Sequence, residues 1–250
     1  MSVSHKNQLD LTIMVSCFNE GDVIEQTLEL IRDVMSCFDY SYEVLIYDDA
    51  SSDNSVEIVK SYIDRNHLGS QFFLVVNSTN MGLGFSYFRA AEKGRGEYFL
   101  KINGRNAHPP NSLKKVLKCL GQADVVIPYF KTRLFKLKDN DDYRSFGRRL
   151  LSLSFAGLIR TVSGLNVRYF NGGVIHKREN VIANQVATHG FGYQAELLCK
   201  LLKKPEVKYL EVSQENFDEA GSSTALRIKN IYSVFGSFWR IFWGRFFPKN

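Results

Sequence analysis

Short apolar runs alternate with segments of helical period through the first half of the chain. The largely apolar runs cover residues 11–17, 42–47, 72–76, 98–102 and 124–128. Apolar residues recur every three to four positions at 22–38, 56–63, 85–92 and 112–120. Near-continuous apolar strands between helices are typical of a parallel sheet covered on both faces. We therefore expect an α/β fold with a mostly parallel sheet and helices on both faces.

The second half of the chain is less regular. A charged segment, 131–142, precedes an apolar helical stretch at 146–162, and a further helix is predicted at 192–203. The sequence shows no internal repeat, low-complexity tract or interdomain linker. The pattern predicts one α/β domain over residues 1–230, followed by a separate C-terminal helix at 231–250.

Composition and charge narrow the classes of partner. The 250 residues are 44% hydrophobic, as in ordinary globular proteins, and 32 Lys and Arg against 26 Asp and Glu give a net charge of +6. This excess fits a phosphate-rich ligand or an anionic membrane surface, and charge alone does not separate these from nucleic acid. The four cysteines lie far apart without the spacing of zinc ligands, which favours reduced structural thiols.

The two ends of the chain bear on membrane contact. The first ten residues are polar, and no run of about 20 apolar residues occurs, so we expect neither a secretory signal nor a spanning helix. Aromatic residues recur every three to four positions at 231–250, with Arg240, Arg245 and Lys249 at the polar edge. This pattern predicts an amphipathic helix in the membrane interface, although a core helix or an oligomer contact shares it.

Residues just beyond the strands are the first candidates for a site, because ligands of open parallel sheets bind at the carboxyl ends of strands. The segment 16–22 lacks Gly-x-Gly-x-x-Gly, which disfavours a nicotinamide enzyme. Asp48 and Asp49 end the second strand, where carboxylates can accept hydrogen bonds from ribose hydroxyls or a base N–H. Alternatively, both only end the strand while Asp53 caps the next helix.

Four short motifs follow in a recognisable order. They are Ser-Cys-Phe-Asn-Glu at 16–20, Asp-Asp-Ala-Ser-Ser-Asp at 48–53, Asn80 with Gly82 and Gly84, and Asn-Gly-Arg followed by His-Pro-Pro at 103–110. They resemble the Pro-x-Tyr-Asn-Glu, Asp-Asp-x-Ser-x-Asp, Asn-x-Gly-x-Gly and Asp-x-Asp…His-x-Pro motifs of glycosyltransferase family 2. The likeness is closest to the branch of dolichyl- and polyprenyl-phosphate sugar synthases, and it covers residues 11–225, most strongly to about 125.

The resemblance implies a GT-A-type, Rossmann-like fold and a nucleotide-sugar donor of the UDP or GDP type. The positions it assigns to nucleotide binding are Phe18, Glu20, Asp48, Asp49, Gly82 and Gly84. The aromatic ring and the glutamate would frame the nucleoside, and the aspartates would hold the base or ribose. The glycines would let the backbone approach the donor or substrate. No nucleic-acid partner is implied.

The family's Asp-x-Asp falls on Asn103-Gly104-Arg105. A divalent ion held there in the family bridges the donor diphosphate. Asn103 offers one neutral oxygen and Arg105 repels a cation, so the position is more positive than two carboxylates by about three charges. We therefore expect no metal ligands here, with weak or absent dependence on Mg²⁺ or Mn²⁺.

Several accounts of this substitution stay open. Arg105 can bind the diphosphate bidentately in an active enzyme, with Asn103 beside it as a second catalytic candidate. The chain can instead be a catalytically impaired relative that binds a nucleotide sugar or a protein partner. Other residues can also rebuild a metal site. A tight Asn-Gly turn that directs Arg105 to solvent has the same sequence.

On the acceptor side, the resemblance implies a polyprenyl phosphate held by basic residues. Arg148 and Arg149 match the family's basic element, and Lys131 lies near another basic contact of the family, so these are the candidate ligands of the acceptor phosphate. A phosphate is already anionic near pH 7 and needs no general base. Glu196 nevertheless keeps an acidic position of the family and is a candidate base.

These features lead us to expect an inverting glycosyltransferase that moves a sugar from a nucleotide-sugar donor to a polyprenyl-phosphate-type or lipid-linked acceptor, as in cell-envelope polysaccharide synthesis. The expected location is cytoplasmic, peripheral on the cytoplasmic face of a membrane. The alternative is the catalytically impaired relative. The sugar, the nucleotide base, the acceptor and the oligomeric state are not specified by the sequence.

Overall fold

The computed structural model describes residues 8–106, 108–130, 146–170, 172–190, 192–214, 236, 239 and 240, without the side chains of 146–149, 151 and 152. The strands within these residues are β1 (Leu9–Cys17), β2 (Tyr42–Asp48), β3 (Phe72–Val76), β4 (Gly96–Asn103), β5 (Val125–Phe130), β6 (Ile175–Lys177) and β7 (Tyr209–Gln214). The helices are α1 (Ile24–Met35), α2 (Ser55–Arg65), α3 (Leu83–Lys93), α4 (Pro110–Leu117), α5 (Phe146–Ser163), α6 (Arg178–Ala183) and α7 (Tyr193–Leu201).

The chain divides into two compact units. The first comprises residues 1–82, 86–106 and 175–183, and the second comprises 83–85, 107–174 and 184–250. The prediction of a single domain over residues 1–230 is not tested by this division and stays a prediction.

A sheet with strand order β3-β2-β1-β4-β6 forms the first unit. Strands β1, β2, β3 and β4 pair in parallel, and only the three-residue β6 pairs antiparallel, with β4. Consecutive residues of β1, β2 and β4 are buried, although successive side chains point to opposite faces of a sheet. Both faces of the sheet are therefore covered, as the apolar runs predict.

A buried polar cluster links the three central strands near their amino ends. Glu43 of β2 is 2% exposed and accepts hydrogen bonds from the Thr12 hydroxyl at 2.8 Å and from Nε of Arg95 at 2.8 Å. The Thr12 hydroxyl accepts in turn from the backbone N–H of Gly96 at 2.8 Å. Because a buried carboxylate is costly without such partners, this cluster favours one register of β2, β1 and β4.

The second unit contains the parallel pair β5 and β7. Helix α7 is almost wholly buried, including the polar residues Gln194 and Glu196, and Lys200 is its one exposed residue. Pro110 occupies the first turn of α4, where a missing backbone N–H costs nothing, and Pro109 precedes it in an extended conformation. The His-Pro-Pro sequence thus starts a helix two residues earlier than periodicity predicts.

The expected fold class is confirmed, with differences in detail. Sequence periodicity did not predict β6, α6 or β7, which are short or only partly buried. Most of the predicted C-terminal helix lies outside the described residues, but Gly236, Trp239 and Arg240 have helical backbone. No helix within the described residues is long and apolar enough to cross a membrane.

A buried histidine on β6 makes a pH-dependent stability prediction. His176 is fully buried opposite Phe99 of β4, and neither ring nitrogen has a hydrogen-bond partner among the described residues. Burial lowers the pKa of His176 from 6.5 to about 3. Below pH 6.5 the unfolded chain therefore binds a proton at His176, whereas the native state does not do so until the pH approaches 3. The free energy of unfolding consequently falls as the pH is lowered from 6.5 toward 3.

The free energy of unfolding of the native protein should fall between pH 7 and pH 4.5. We expect this fall to be about 2–3 kcal/mol smaller in His176→Leu. The measurement is urea denaturation at both pH values, comparing the pH dependence rather than the absolute stability. His67→Asn is the control, because His67 is exposed and its φ of 53° suits asparagine. Equal pH dependence in native protein and His176→Leu would contradict the assignment.

Candidate active site

Three loops meet at the carboxyl edge of the first unit's sheet. Strand β1 lies between β2 and β4, with Cys17 opposite Asp48 and Ser16 opposite Asn103. Because the three strands run parallel, the segments that follow them lie along the same edge. This is where ligands bind in open α/β sheets.

Hydrogen bonds tie the loop after β1 to the loop after β2. Asn19 accepts the backbone N–H of Ser52 at 2.8 Å and donates its own backbone N–H to the Ser51 hydroxyl at 2.8 Å. The backbone N–H of Gly21 donates to the Asp53 carboxylate at 3.0 Å. Asn19 has a φ of 55°, a left-handed conformation that asparagine adopts more readily than most residues. The first two motifs therefore hold each other in place.

Two ionisable groups in these loops have altered proton affinity. Burial acts to raise the pKa of Asp53, but hydrogen bonds from Ser55 and Gly21 outweigh it and hold that pKa below 3.8. Burial raises the pKa of the Cys17 thiol to about 12, and the charge of Asp48 acts in the same direction. Asp53 is thus ionised near neutral pH, whereas Cys17 stays protonated and is not a reactive thiol.

The two aspartates that end β2 each organise backbone. The Asp49 carboxylate, 8% exposed, accepts the backbone N–H groups of Met81 and Gly82 at 2.8 and 2.9 Å and the Asn77 side-chain amide at 2.9 Å. Asp48 is 1% exposed, and its carboxylate accepts a hydrogen bond from the backbone N–H of Ser51 at 2.9 Å. The structure thus shows that both carboxylates hold the neighbouring loops by hydrogen bonds. Their contact with a base or ribose stays a prediction.

Local backbone geometry explains why both positions of the third motif, 82 and 84, are glycine. In the first unit, Gly82 has a φ of 87°, which side chains rarely adopt. In the second unit, a Cβ on Gly84 would lie 2.3 Å from the carbonyl oxygen of Thr188, and the Gly84 N–H donates to the carbonyl of His189 at 2.7 Å. Their approach to a donor stays a prediction.

The loop after β4 is fixed against β1 and α1. The Gly104 N–H donates to the Ser16 carbonyl at 2.9 Å, and the Gly104 carbonyl accepts from the buried Thr27 hydroxyl at 2.7 Å. That hydroxyl also accepts the N–H of Asn106 at 2.8 Å. A Cβ on Gly104 would lie 2.7 Å from the Ser16 oxygen and 2.9 Å from Cδ1 of Ile24. The close approach therefore requires glycine at this position.

The side chain of Arg105 pairs with the glutamate of the first motif. Its Nη2 donates to Oε1 of Glu20 at 3.0 Å, and the two side chains are 30% and 15% exposed. Arg105 is thus held at the sheet edge instead of pointing freely to solvent. Phe18, two residues before Glu20, is 43% exposed. Sequence reasoning selected all three residues, but not the ion pair.

Lys101 is a candidate site residue that sequence reasoning missed. It is 8% exposed within β4, and its Nζ donates to Oδ1 of Asn103 at 2.7 Å. Residues two apart on a strand share one face, so a lysine followed two positions later by a polar strand-end residue was the available signal. The apolar neighbours in Tyr-Phe-Leu-Lys-Ile obscured it.

The candidates for acceptor binding are only partly described. Lys131 lies outside the described residues. Arg148 and Arg149 lie in the first turn of α5, and their side chains are not described. Their roles as ligands of an acceptor phosphate stay predictions.

Glu196, the candidate base, forms a three-residue cluster within the second unit. It is 7% exposed, and its Oε1 accepts from the Thr188 hydroxyl and from Nε of Arg240 at 3.0 Å. Nη2 of Arg240 also contacts the Thr188 hydroxyl. One carboxylate oxygen of Glu196 is therefore occupied by an arginine from the C-terminal segment. Proton abstraction by Glu196 stays a prediction.

The fold and the edge loops define an α/β protein with a candidate ligand site at the carboxyl ends of parallel strands. The family model described as glycosyl transferase family 2 matches residues 12–186, more than half of the chain. The chain therefore belongs to glycosyl transferase family 2, and the resemblance drawn from the four motifs is confirmed.

Curated relatives are distant in sequence. An undecaprenyl-phosphate 4-deoxy-4-formamido-L-arabinose transferase of Edwardsiella ictaluri is 23% identical over 181 residues, covering 72% of this chain and 52% of that protein. A dolichyl-phosphate beta-glucosyltransferase of Dictyostelium discoideum is 25% identical over 171 residues, covering 64% and 52%. The chain thus spans about half the length of these relatives.

Solved structures share the fold at low identity. Glucosyl-3-phosphoglycerate synthase from Mycobacterium tuberculosis, in complex with Mn²⁺, UDP and glucosyl-3-phosphoglycerate, matches with a TM-score of 0.66 and 14% identity over 92% of this chain and 80% of that one. Mannosyl-3-phosphoglycerate synthase from Rubrobacter xylanophilus matches with a TM-score of 0.69 and 13% identity over 93% and 73%.

The residues at this edge do not fit a divalent metal ion. Hard cations require several oxygen ligands, preferably carboxylates. The Asn103 oxygen already accepts from an ammonium group at 2.7 Å, and a guanidinium follows two residues later. No group of three or more His, Cys, Asp or Glu side chains in the described part of the chain could hold a metal. This position therefore does not offer the oxygen ligands that a divalent ion requires.

Replacing Gly104 by alanine tests how the loop after β4 is held. We expect a loss of about 1–3 kcal/mol of stability, because the new methyl group meets the backbone of β1, which cannot move aside cheaply. Urea denaturation measures the change. Gly69→Ala is the matched control, since nothing lies within 4 Å of the position of its Cβ. Equal stability of the two variants would contradict the packing described here.

Proposed function

We propose that this family 2 member is an active, inverting glycosyltransferase that works without a bound divalent ion. The observation that carries the proposal is the Arg105–Glu20 ion pair, which lies at the carboxyl edge of the sheet where the family's metal ligands are expected. The guanidinium of Arg105 lies at the position where the family's Asp-x-Asp motif would supply carboxylates.

The proposed donor is a nucleoside-diphosphate sugar of the UDP or GDP type. Glucosyl-3-phosphoglycerate synthase, which shares the fold, is known in complex with UDP, and this supports a nucleotide ligand. In this proposal Phe18 and Glu20 contact the nucleoside, and the segment 77–82, which Asp49 holds by hydrogen bonds, borders the same edge. The exposed aromatic ring of Phe18 offers a flat apolar surface to a base.

Arg105 is the proposed stabiliser of the leaving diphosphate. A guanidinium carries five N–H donors, and among the described residues its hydrogen bond goes to Glu20 alone. The remaining donors can bind two phosphate oxygens in a fork. Glu20 holds the guanidinium in place before the donor arrives, so little reorganisation is needed when negative charge develops on the departing group.

The proposed acceptor is a polyprenyl-phosphate-type lipid. The curated relatives are named for transfer to undecaprenyl phosphate and to dolichyl phosphate. An acceptor phosphate oxygen attacks the anomeric carbon as the carbon–oxygen bond to the diphosphate breaks, and the nucleoside diphosphate leaves with the bonding electrons. No proton must be removed from such an acceptor, so the reaction needs no general base. Transfer of this kind suits cell-envelope polysaccharide synthesis.

The proposed place of action is the cytoplasmic face of a membrane. The C-terminal segment 231–250 combines an aromatic stripe with basic residues, and Trp239 within it is 54% exposed. Aromatic rings favour the headgroup region of a bilayer, and Arg and Lys favour anionic lipids. Such contact would bring the chain to a lipid-borne acceptor.

A catalytically impaired, ligand-binding relative is the second candidate. The loss of both carboxylates at positions 103 and 105 favours it, because a metal-dependent relative would lose turnover with them. Nucleotide-sugar binding without turnover on any lipid phosphate is the result that would establish it.

Sugar transfer in EDTA tests the lead proposal. We expect turnover of a UDP- or GDP-sugar with a polyprenyl phosphate to be unchanged by EDTA or added Mn²⁺, and Arg105→Ala to lower kcat about 100-fold or more, since a preorganised charge on the leaving group is lost. Radiolabelled sugar in the lipid phase measures the transfer. Arg65→Ala is the control, because Arg65 forms an exposed ion pair with Glu25 on the same unit. Turnover abolished by EDTA would refute metal independence.

Membrane partition tests the C-terminal segment. We expect deletion of residues 241–250 to lower co-sedimentation with anionic vesicles several-fold, because it removes four aromatic residues at the predicted spacing and two basic residues. Deletion of 231–250 should abolish it. The shorter deletion keeps Arg240 and its contact with Glu196, and thus separates membrane contact from that cluster. Unchanged partition of both variants would contradict the interfacial role.

A further inference from the structure

The buried ammonium group of Lys101 is an unexpected feature of the central sheet. Lysine is almost never fully buried in proteins, and moving its charge out of water is costly unless partners hold it. Lys101 nevertheless lies 8% exposed between Leu100 and Ile102, which are each 1% exposed. The core of β4 would form as well with an apolar side chain at position 101, so packing alone does not explain a lysine there.

The direction of the lysine side chain points to the carboxyl edge. Its Nζ reaches the side chain of Asn103, the last residue of β4, at 2.7 Å. Asn103 in turn lies opposite Ser16 of β1, whose carbonyl fixes Gly104. The ammonium group therefore lies at the start of the loop that carries Arg105, and two cations flank Asn103 in the sequence.

This arrangement changes what the Asn103 oxygen can do. An oxygen that accepts a hydrogen bond from an ammonium group is a poor ligand for a divalent cation, because the two positive charges repel each other. An aspartate at position 103 would meet the same ammonium and be neutralised by it. The exclusion of a metal ion is thus set by Lys101 as well as by the residues of the altered motif.

We infer that Lys101 is a second fixed cation of the nucleotide site, which excludes a divalent ion from the Asn103 position and, with Arg105, attracts the diphosphate of the donor. The inference about the diphosphate rests on the proposed function, whereas the exclusion of the ion does not. The ligand class is a nucleoside diphosphate, and Lys101 acts as a specificity-determining residue for metal-free binding.

Restoring carboxylates with and without the lysine tests the exclusion of the ion. Mn²⁺ is titrated calorimetrically into nucleotide-free native protein, N103D/R105D and K101M/N103D/R105D. We expect no measurable binding to the native protein and at least tenfold tighter binding to the triple variant than to the double variant. Equal affinity of the double and triple variants would overturn the exclusion by Lys101. K101Q replaces K101M in the triple variant if the latter does not fold, as judged by its melting temperature.

Comparing UDP with uridine in EDTA tests the attraction of the diphosphate. We expect Lys101→Met to lower UDP affinity about tenfold and to leave uridine affinity unchanged, because only UDP carries the diphosphate. Lys60→Met removes an exposed lysine of α2 and should change neither affinity. Equal losses for UDP and uridine in Lys101→Met, or no loss for either, would overturn this half of the inference.

The two experiments separate failure of the inference from failure of the proposed function. Native protein that binds neither UDP nor GDP would overturn the proposed function and the diphosphate half of the inference together. The Mn²⁺ titration uses no nucleotide, so its result would still decide whether Lys101 excludes the ion.

Discussion

The parallel pairing of β1 with β2 on one side and β4 on the other is the constraint on which the site depends. It places the ends of three strands side by side, with Ser16 opposite Asn103 and Cys17 opposite Asp48. Each following loop is then fixed to its neighbour by short-range hydrogen bonds, most tightly where Gly104 lies against β1. Without this pairing, residues distant in sequence would not share an edge.

The electrostatics of that edge distinguish this chain from a metal-dependent relative. Glu20 keeps a negative charge, but it is paired with Arg105, and the neighbouring Asn103 is held by Lys101. In the function proposed for this chain, these fixed charges attract the donor diphosphate without an ion from solution. The chain thereby combines the loops of glycosyl transferase family 2 with an inverted charge at one position.

Much of the first unit could be predicted from the sequence, because buried parallel strands are nearly continuous apolar runs and α1 and α2 have clear period. The short strand β6 and the half-buried β7 carry too little pattern to be found in this way. The motifs located Glu20, Asp49 and Arg105, but not what they contact, since hydrogen-bond partners are set by loop geometry. Lys101 was not predicted as a site residue, because a single lysine within an apolar strand does not reveal where its side chain points.

The most direct test of fixed cations in place of an ion is a crystal structure grown with UDP and excess Mn²⁺, with anomalous data collected at the manganese edge. The account predicts UDP at the carboxyl edge, with phosphate oxygens within hydrogen-bond distance of the Arg105 guanidinium and no anomalous peak beside Asn103. A manganese peak bridging the diphosphate and Asn103, with Arg105 turned away, would contradict it.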